Sequence, residues 1–451
     1  MHMILKSPRK RLIIADKQIR DTHQSILFNA QMLRILQKTW CMNLVRLALC
    51  LLAFFFLSVR GYSQTDSCSI KISLLTCGPG EDLYSIFGHT AIRIKDWNTG
   101  MDAVYNYGTF DDSDPYFYFK FTRGIMRYSL SVQSFNDFMQ EYIDEHRSVT
   151  EQTLSLSCAG KQKLIAALRQ NALEYNRYYN YHFYLDNCTT RAKNIIANNC
   201  DSPIIFRNIL PTVHPSFRQQ INGYLDKSGK YWDEFGINIF LGSHLDEQAT
   251  NEQSMFLPDY LLKGFDSAVY GHRPLVNARR EILQASGNNQ SAKPLNRPLD
   301  FFGAWFLLVI ILGWIRKPWS ITTLRVLDFI FFLSIGLLGI IMLCLWLGRV
   351  DAVCRNNLNL LWALPTHCPI VFFKKRQRSW VRNYFRINAL ISIILMLGVI
   401  WRWWPQEIIP PVSFILLISI LRSLSIVYRN KDGKNSIIPG RKSLLQGSGQ
   451  R

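Results

Sequence analysis

The sequence predicts an α+β domain followed by an α-helical transmembrane domain of about five spans. Short alternating apolar segments between residues 70 and 184 have the period of half-buried strands. Helical periodicity appears over 135–147 and 161–175. From residue 300 onward, long apolar runs separated by basic loops take over.

The chain has 451 residues, 52 Lys and Arg against 32 Asp and Glu, and a formal charge of +20. That length favours more than one domain. The positive charge gathers beside the apolar runs of the last third, which suits membrane orientation. No zinc-finger spacing, Walker loop or RNA-binding signature points to nucleic acid. Residues 1–41 are basic and polar and precede an alternative start at Met42, so they are read as a non-functional upstream extension. Residues 42–46 supply a short basic start, 47–57 a compact apolar core, and Gly61-Tyr62-Ser63 a small-residue end. That is the layout of a signal peptide over 42–63, an uncleaved anchor being the alternative.

Export permits disulfides in the domain expected over 64–275, which faces the periplasm. It holds Cys68, Cys77, Cys158, Cys188 and Cys200, an odd set, so one thiol stays unpaired. Cys158 with Cys200 is a conceivable bridge. In chain order, a strand over 70–75 leads into the tight loop Thr76-Cys77-Gly78-Pro79-Gly80, where backbone N–H groups can be exposed. Strands follow over 87–94 and 103–108, which puts His89 and Asn106 on neighbouring strands. Asp111, Asp112 and Asp114 have the chemistry of a cation site, but acidic turns are usually just solvated, and no metal is predicted. An aromatic stretch over 116–121, a strand over 128–132 and the two helices come next. The aromatic strand over 178–184 enters the corner Leu185-Asp186-Asn187-Cys188, and helix continues from 190 to 197. Both aromatic stretches are candidate walls of an acyl groove, with core packing as the alternative. Residues 276–299 read as a polar linker.

The membrane domain is expected over 300–430, with apolar runs at about 300–315, 326–348, 358–373, 387–404 and 408–428. Pro365, His367 and Pro369 interrupt the third run. Basic residues follow the first, third and fifth runs, so five spans with an external amino-terminal domain and a cytoplasmic basic tail at 431–451 satisfy the positive-inside rule.

Two residues carry the sharpest chemistry. A thiol at the start of a helix, Cys188, sits among unpaired N–H groups at the positive end of the dipole, which favours thiolate. His89 within reach would take its proton. Either residue alone is more often structural. Together they are the two halves of a papain-like active site with the order reversed. Cys77 is the rival nucleophile, and its glycine-rich loop a candidate oxyanion loop. His367, inside an apolar run, suggests a cavity or headgroup contact.

Several motifs together resemble the Lnb-type lipoprotein N-acyltransferases: Leu75-Thr76-Cys77-Gly78-Pro79-Gly80, Phe87-Gly88-His89-Thr90-Ala91, Asn106-Tyr107-Gly108-Thr109-Phe110, Asp186-Asn187-Cys188-Thr189-Thr190-Arg191 and Asn359-Leu360-Leu361-Trp362-Ala363-Leu364-Pro365. The likeness covers roughly residues 68–430. It implies a circularly permuted papain-like fold of the NlpC and lecithin:retinol acyltransferase type. It also implies a bacterial inner-membrane enzyme that moves an acyl chain from a phospholipid donor to the amino-terminal amine of diacylated lipoproteins, without a cofactor. Cys188 is then the nucleophile, His89 the base and Asn106 the candidate third member. Cys77, Gly78, Gly80, Asn187, Trp362 and His367 are candidate substrate or oxyanion contacts. A cell-wall peptidase or amidase with the same dyad, and a non-catalytic membrane assembly factor, remain open as alternatives.

Overall fold

The computed structural model describes residues 68–110, 113–285, 297–373 and 378–428. The expected upstream extension and signal peptide, Asp111, Asp112, most of the polar linker and the basic tail lie outside these described residues.

The amino-terminal half runs β1 (Ile70–Cys77), β2 (His89–Asp96), β3 (Met101–Thr109), α1 (Phe117–Arg123), β4 (Arg127–Ser134), α2 (Phe135–Asp144), β5 (Val149–Leu154), α3 (Cys158–Ala172), β6 (Tyr178–Asn180), α4 (Cys188–Asn198), β7 (Ile204–Ile205), α5 (Phe217–Ser228), α6 (Tyr231–Phe240), α7 (Asn251–Ser254), α8 (Pro258–Ser267), β8 (Val269–Tyr270), β9 (Arg273–Pro274) and β10 (Val276–Leu283). Seven strands form one antiparallel sheet in the order β10-β5-β1-β2-β3-β4-β6; β7, β8 and β9 form a small second sheet. Alternation sorts the side chains into layers. Ile92 and Ile94 of β2 and Tyr105 and Tyr107 of β3 pack with α3, α4 and α8 through Leu164, Leu168, Ile195, Ile196 and Phe265. Ala91, Val104 and Cys77 face the other way, against Phe138 and Tyr142 of α2.

Two expectations are corrected here. The disulfide joins Cys68 to Cys158, with Cα atoms 5.7 Å apart, and Cys200 is a buried free thiol that donates to the Ile196 carbonyl. The reason is that α3 begins beside the start of β1, where Lys161 Nζ donates to the Ile70 carbonyl at 2.8 Å. Second, the first part of the supposed linker is strand β10, paired with β5 at the sheet edge. Its Arg279, Arg280 and Glu281 are exposed, so the sequence there has no buried face to betray a strand.

The membrane domain comprises α9 (Pro298–Ile315), α10 (Pro318–Gly348), α11 (His367–Val371), α12 (Ser379–Trp401) and α13 (Pro410–Val427). Among the described residues 4 helices are long and apolar enough to cross a membrane: α9, α10, α12 and α13. The run at 358–373 is instead a 3-10 turn, Leu358–Leu361, followed by the short α11. Pro365 and Pro369 withhold the N–H groups that a continuous helix needs and clash with the preceding turn. The segment lies along α10 in the opposite direction. Ala363 abuts Gly339, Cys368 abuts Gly336, and Phe372 meets Phe329 at 5.5 Å between ring centroids. A Cβ at Gly336 would stand 2.7 Å from the Cys368 nitrogen, and one at Gly339 would collide with the Ala363 carbonyl. Both positions therefore require glycine. Buried within the bundle, Arg422 of α13 meets Asp328 of α10 at 2.6 Å. Asn388 of α12 donates to Ser419 and Ser423 of α13, each at 2.9 Å.

A buried polar joint fixes the sheet domain to the bundle. Arg218 of α5 has no exposed side-chain surface and donates to Asp246, to Asn238, and to the Leu241 and Gly242 carbonyls. Asn357 and Asn359, from the loop after α10, donate to carbonyls at the end of α6: Ile239 at 2.6 Å and Asn238 at 3.3 Å. Gln406, before α13, donates to the Leu241 carbonyl and to Asn357. Arg218 ties α5 to the end of α6 within the sheet domain, while Asn357, Asn359 and Gln406 carry the bonds from the bundle to the Ile239, Asn238 and Leu241 carbonyls.

Candidate active site

Antiparallel pairing of β2 with β3 brings His89 diagonally across from Asn106. His89 Nε2 and Asn106 Oδ1 are 2.5 Å apart. With Nε2–H donating to that amide oxygen, Nδ1 is the ring nitrogen left for the thiol. Cys188 opens α4, whose amino-terminus is held by a capping box: Asn187 Oδ1 accepts from the Thr190 N–H, and Thr190 Oγ1 from the Asn187 N–H. Asn187 is itself anchored through Nδ2 to the Phe183 and Phe256 carbonyls, each at 2.9 Å. A second tie crosses from the helix to the strand, Thr189 Oγ1 to Thr90 Oγ1 at 3.1 Å. The histidine's strand and the cysteine's helix are thus locked together one residue beyond each reacting group.

Cys188 and His89 are close enough for each to shift the protonation of the other. Burial alone would push the Cys188 thiol up, but the charge and hydrogen bond of His89, helped by Thr189 and the Thr90 backbone, outweigh it and bring it down to about 7. Burial would likewise lower His89, yet the Cys188 charge, its hydrogen bond and that of Asn106 leave the imidazole raised. The pair therefore leans toward thiolate and imidazolium. Gly108 completes the approach. It sits at an irregularity of β3, has φ +98°, and a Cβ there would stand 3.2 Å from Cys188 Cβ and 3.6 Å from the His89 ring. Only glycine accepts both the backbone conformation and the crowding.

The other candidates lie elsewhere or are already occupied. Cys77 is buried against α2, and burial pushes its thiol up to about 12 despite a Tyr142 hydrogen bond and the charge of Arg147. The Gly78 N–H donates to the Ser148 carbonyl at 2.8 Å and the Gly80 N–H to Ser85 at 3.0 Å, so both are used within the fold. Trp362 is buried in the bundle core, donating to Asn359 Oδ1 at 2.9 Å, and His367 packs on Phe332 and shares a hydrogen bond with Tyr384. Asp114 accepts from Lys120. Among the described residues no cluster of His, Cys, Asp and Glu is placed to hold a metal ion.

Residues 59–213 match the Lnb N-terminal periplasmic domain, and residues 289–433 match the Lnb transmembrane domain. The chain is an Lnb-type family protein. No curated protein and no solved structure matches it. As an Lnb protein it is a multi-pass membrane protein of lipoprotein biogenesis with a periplasmic domain. His89, Asn106 and Cys188 all fall within the first Lnb match, and the joint residues Asn357, Asn359 and Gln406 within the second.

Sequence reasoning offered the stretch over 178–184 as a groove wall but missed Tyr128 beside the thiol. Tyr128 of β4 stacks on Tyr181 with centroids 4.3 Å apart, and both feel the Cys188 charge. Burial first, and Cys188 second, push the Tyr128 hydroxyl up to about 12, which keeps it neutral. The strand alternation over 128–132 placed Tyr128 on a face; only the fold brings that face to Cys188.

The electrostatics make a direct prediction for this Lnb protein. Carbamidomethylation of Cys188 by iodoacetamide, read by peptide mass spectrometry, should rise with pH around a midpoint near 7. In His89→Ala the stabilising charge is gone while burial remains, so the midpoint moves up to or beyond the ordinary thiol value of 9.0. At neutral pH the labelling rate should fall by about fiftyfold, following the thiolate fraction. Superimposable profiles for the two proteins would remove His89 from the ionisation of Cys188.

Proposed function

We propose that this Lnb protein is a cysteine-dependent N-acyltransferase that moves an acyl chain from a phospholipid to the amino-terminal amine of a diacylated lipoprotein. The observation that carries this reading is the Cys188–His89 pair, with Asn106 on the far side of the ring and Gly108 clearing the approach. In the first half-reaction the Cys188 thiolate attacks the ester carbonyl. The C–S bond forms, the C–O bond breaks, and protonated His89 gives its proton to the departing lysophospholipid oxygen. In the second, the lipoprotein amine attacks the thioester. The C–N bond forms, the C–S bond breaks, and the amine proton goes to His89, which restores the starting pair. Asn106 holds the ring so that Nδ1 faces the sulfur. The Thr190 N–H is taken by the Asn187 cap, and the Cys188 and Thr189 N–H groups at the start of α4 suit a developing oxyanion.

The test is the acyl state of lipoproteins in cells carrying the intact protein or Cys188→Ala, read by mass spectrometry. A third acyl chain that disappears with Cys188 is the expected result. Unchanged lipoproteins accompanied by altered cell-wall peptides would instead favour a peptidase, and no change in either would favour an assembly factor.

We also infer five crossings, the third being the broken segment at 358–373. Its antiparallel course along α10 supports this, as do Arg316 and Lys317 after α9 and Arg378, Arg382 and Arg386 at the start of α12. Single-cysteine labels at residue 290 and at residue 445, in a background whose exposed Cys344 is replaced, should report opposite sides of the inner membrane. Two labels on the same side would reduce the count to the four helical spans.

A further inference from the structure

A row of aromatic rings leads from the thiol to an exposed helix. Beginning at Cys188, Tyr181 stacks on Tyr128 at 4.3 Å, Tyr128 meets Phe110 at 5.2 Å, and Phe110 stacks on Phe117 at 5.6 Å. Phe117 opens α1, and there the aromatic residues emerge: Tyr116 is 65% exposed, Phe119 63% and Phe121 54%. Large rings gathered on one seven-residue helix form an apolar patch that water alone does not account for.

The position of α1 identifies what covers the patch. Arg349, the first residue past α10, donates to the Phe121 carbonyl at 2.8 Å, and the Val350 N–H donates to the Arg123 carbonyl at 3.0 Å. Beside them the Asp351 carbonyl bonds His182 Nε2 at 3.2 Å, while His182 Nδ1 accepts from the Leu185 N–H. One short loop at the end of a membrane-length helix thus holds both the aromatic helix and the corner that presents Cys188. Continuity with α10 puts α1 at the headgroup level, where amphipathic aromatic rings are favoured.

We propose that α1 lies in the surface of the periplasmic leaflet, and that the acyl chain of the donor phospholipid runs along Phe117, Phe110, Tyr128 and Tyr181 to Cys188. This rests on the acyl-transfer reading and names the binding site that reading requires. The exposed end admits the chain from lipid, and the rings give it an apolar wall up to the sulfur. Phe110, at the middle of the row, sets how much chain fits.

Two measurements on the full-length protein in nanodiscs test it. The first uses phosphatidylethanolamine carrying a diazirine in one acyl chain, photolysed with the Cys188→Ala protein and mapped by peptide mass spectrometry. Labelling of Phe110, Tyr128 or Tyr181 is expected; labelling confined to the membrane helices overturns the proposal. The second compares dioctanoyl with dipalmitoyl phosphatidylethanolamine as donors and reads the acyl mass on Cys188. Phe110→Trp should lower the dipalmitoyl adduct relative to the dioctanoyl one by about tenfold, with Phe110→Leu restoring the long chain. A ratio that stays the same in both variants, whatever the overall rate, overturns the proposal. Photolabelling of the row without any acyl-Cys188 in the unaltered protein would instead keep the lipid site and discard the acyl-transfer reading.

Discussion

Cys188→Ala in the full-length protein is expected to abolish acyl transfer while the protein still folds and inserts. Cys188 is half-buried, opens a helix whose cap is made by Asn187 and Thr190, and carries little of the sheet-domain core. Alanine therefore keeps the cap and the Thr90–Thr189 tie. His89→Ala should act on the same step by leaving the thiol protonated at neutral pH. Each change should cost at least about a thousandfold in rate, and the double variant little more, because the two groups act as a unit. Cys188→Ser should also be severely impaired, since the hydroxyl has no accessible ionised form for the imidazolium to stabilise. The assay is transfer from phospholipid to a diacylated lipopeptide, with far-UV circular dichroism as the folding control. Full activity in a folded Cys188→Ala protein would end the role of this thiol, and the buried Cys77 offers a poor substitute because its pKa is pushed up to about 12.

The largest stability effect is expected at Arg218. Its guanidinium has no exposed surface, forms a salt bridge with Asp246 at 2.9 Å, and fills carbonyl acceptors at the end of α6. Removing it strands a largely enclosed carboxylate and several carbonyls, which costs about 3–5 kcal/mol. Lysine returns the charge but lacks the planar fork that meets Asp246, Asn238 and the two carbonyls together, so Arg218→Lys should recover only part of the loss. Thermal unfolding of the detergent-solubilised protein would show a lowered midpoint for Arg218→Ala and a smaller fall for Arg218→Lys. Equal midpoints in all three proteins would mean that the Arg218 network contributes nothing to the stability of the end of α6 on which the bundle docks.

Much of the candidate site is legible in the chain itself. The segments over 87–94 and 103–108 alternate cleanly enough to be paired, and that pairing alone brings His89 and Asn106 side by side. The Asn187-Cys188 corner announces a cap followed by a helix. What escaped depends on packing between distant elements. The partner of Cys158 is set by where α3 crosses β1, which no local spacing encodes. Strand β10 is an exposed edge with charged residues in succession. Arg218 reads as one more basic surface residue, yet it is the most enclosed cation of the sheet domain's joint. The third apolar run has the composition of a span but not the backbone of a continuous helix.

That broken run bears on how the protein is assembled. Inside a bilayer, backbone outside a regular helix must find its hydrogen-bond partners within the protein. In residues 358–373 the Leu358 N–H donates to the Gln406 side chain and the Asn359 N–H to that of Asn357, while the N–H groups of Trp362, Ala363, His367 and Cys368 donate to carbonyls within the segment, which packs in the flat groove that Gly336 and Gly339 leave on α10. On the five-crossing reading, the segment has no stable place in lipid before α10 and α12 are present. Insertion is then not one helix after another: α10, the broken segment and α12 must leave the translocation machinery as a single parcel, and the order of synthesis becomes part of what the glycines encode.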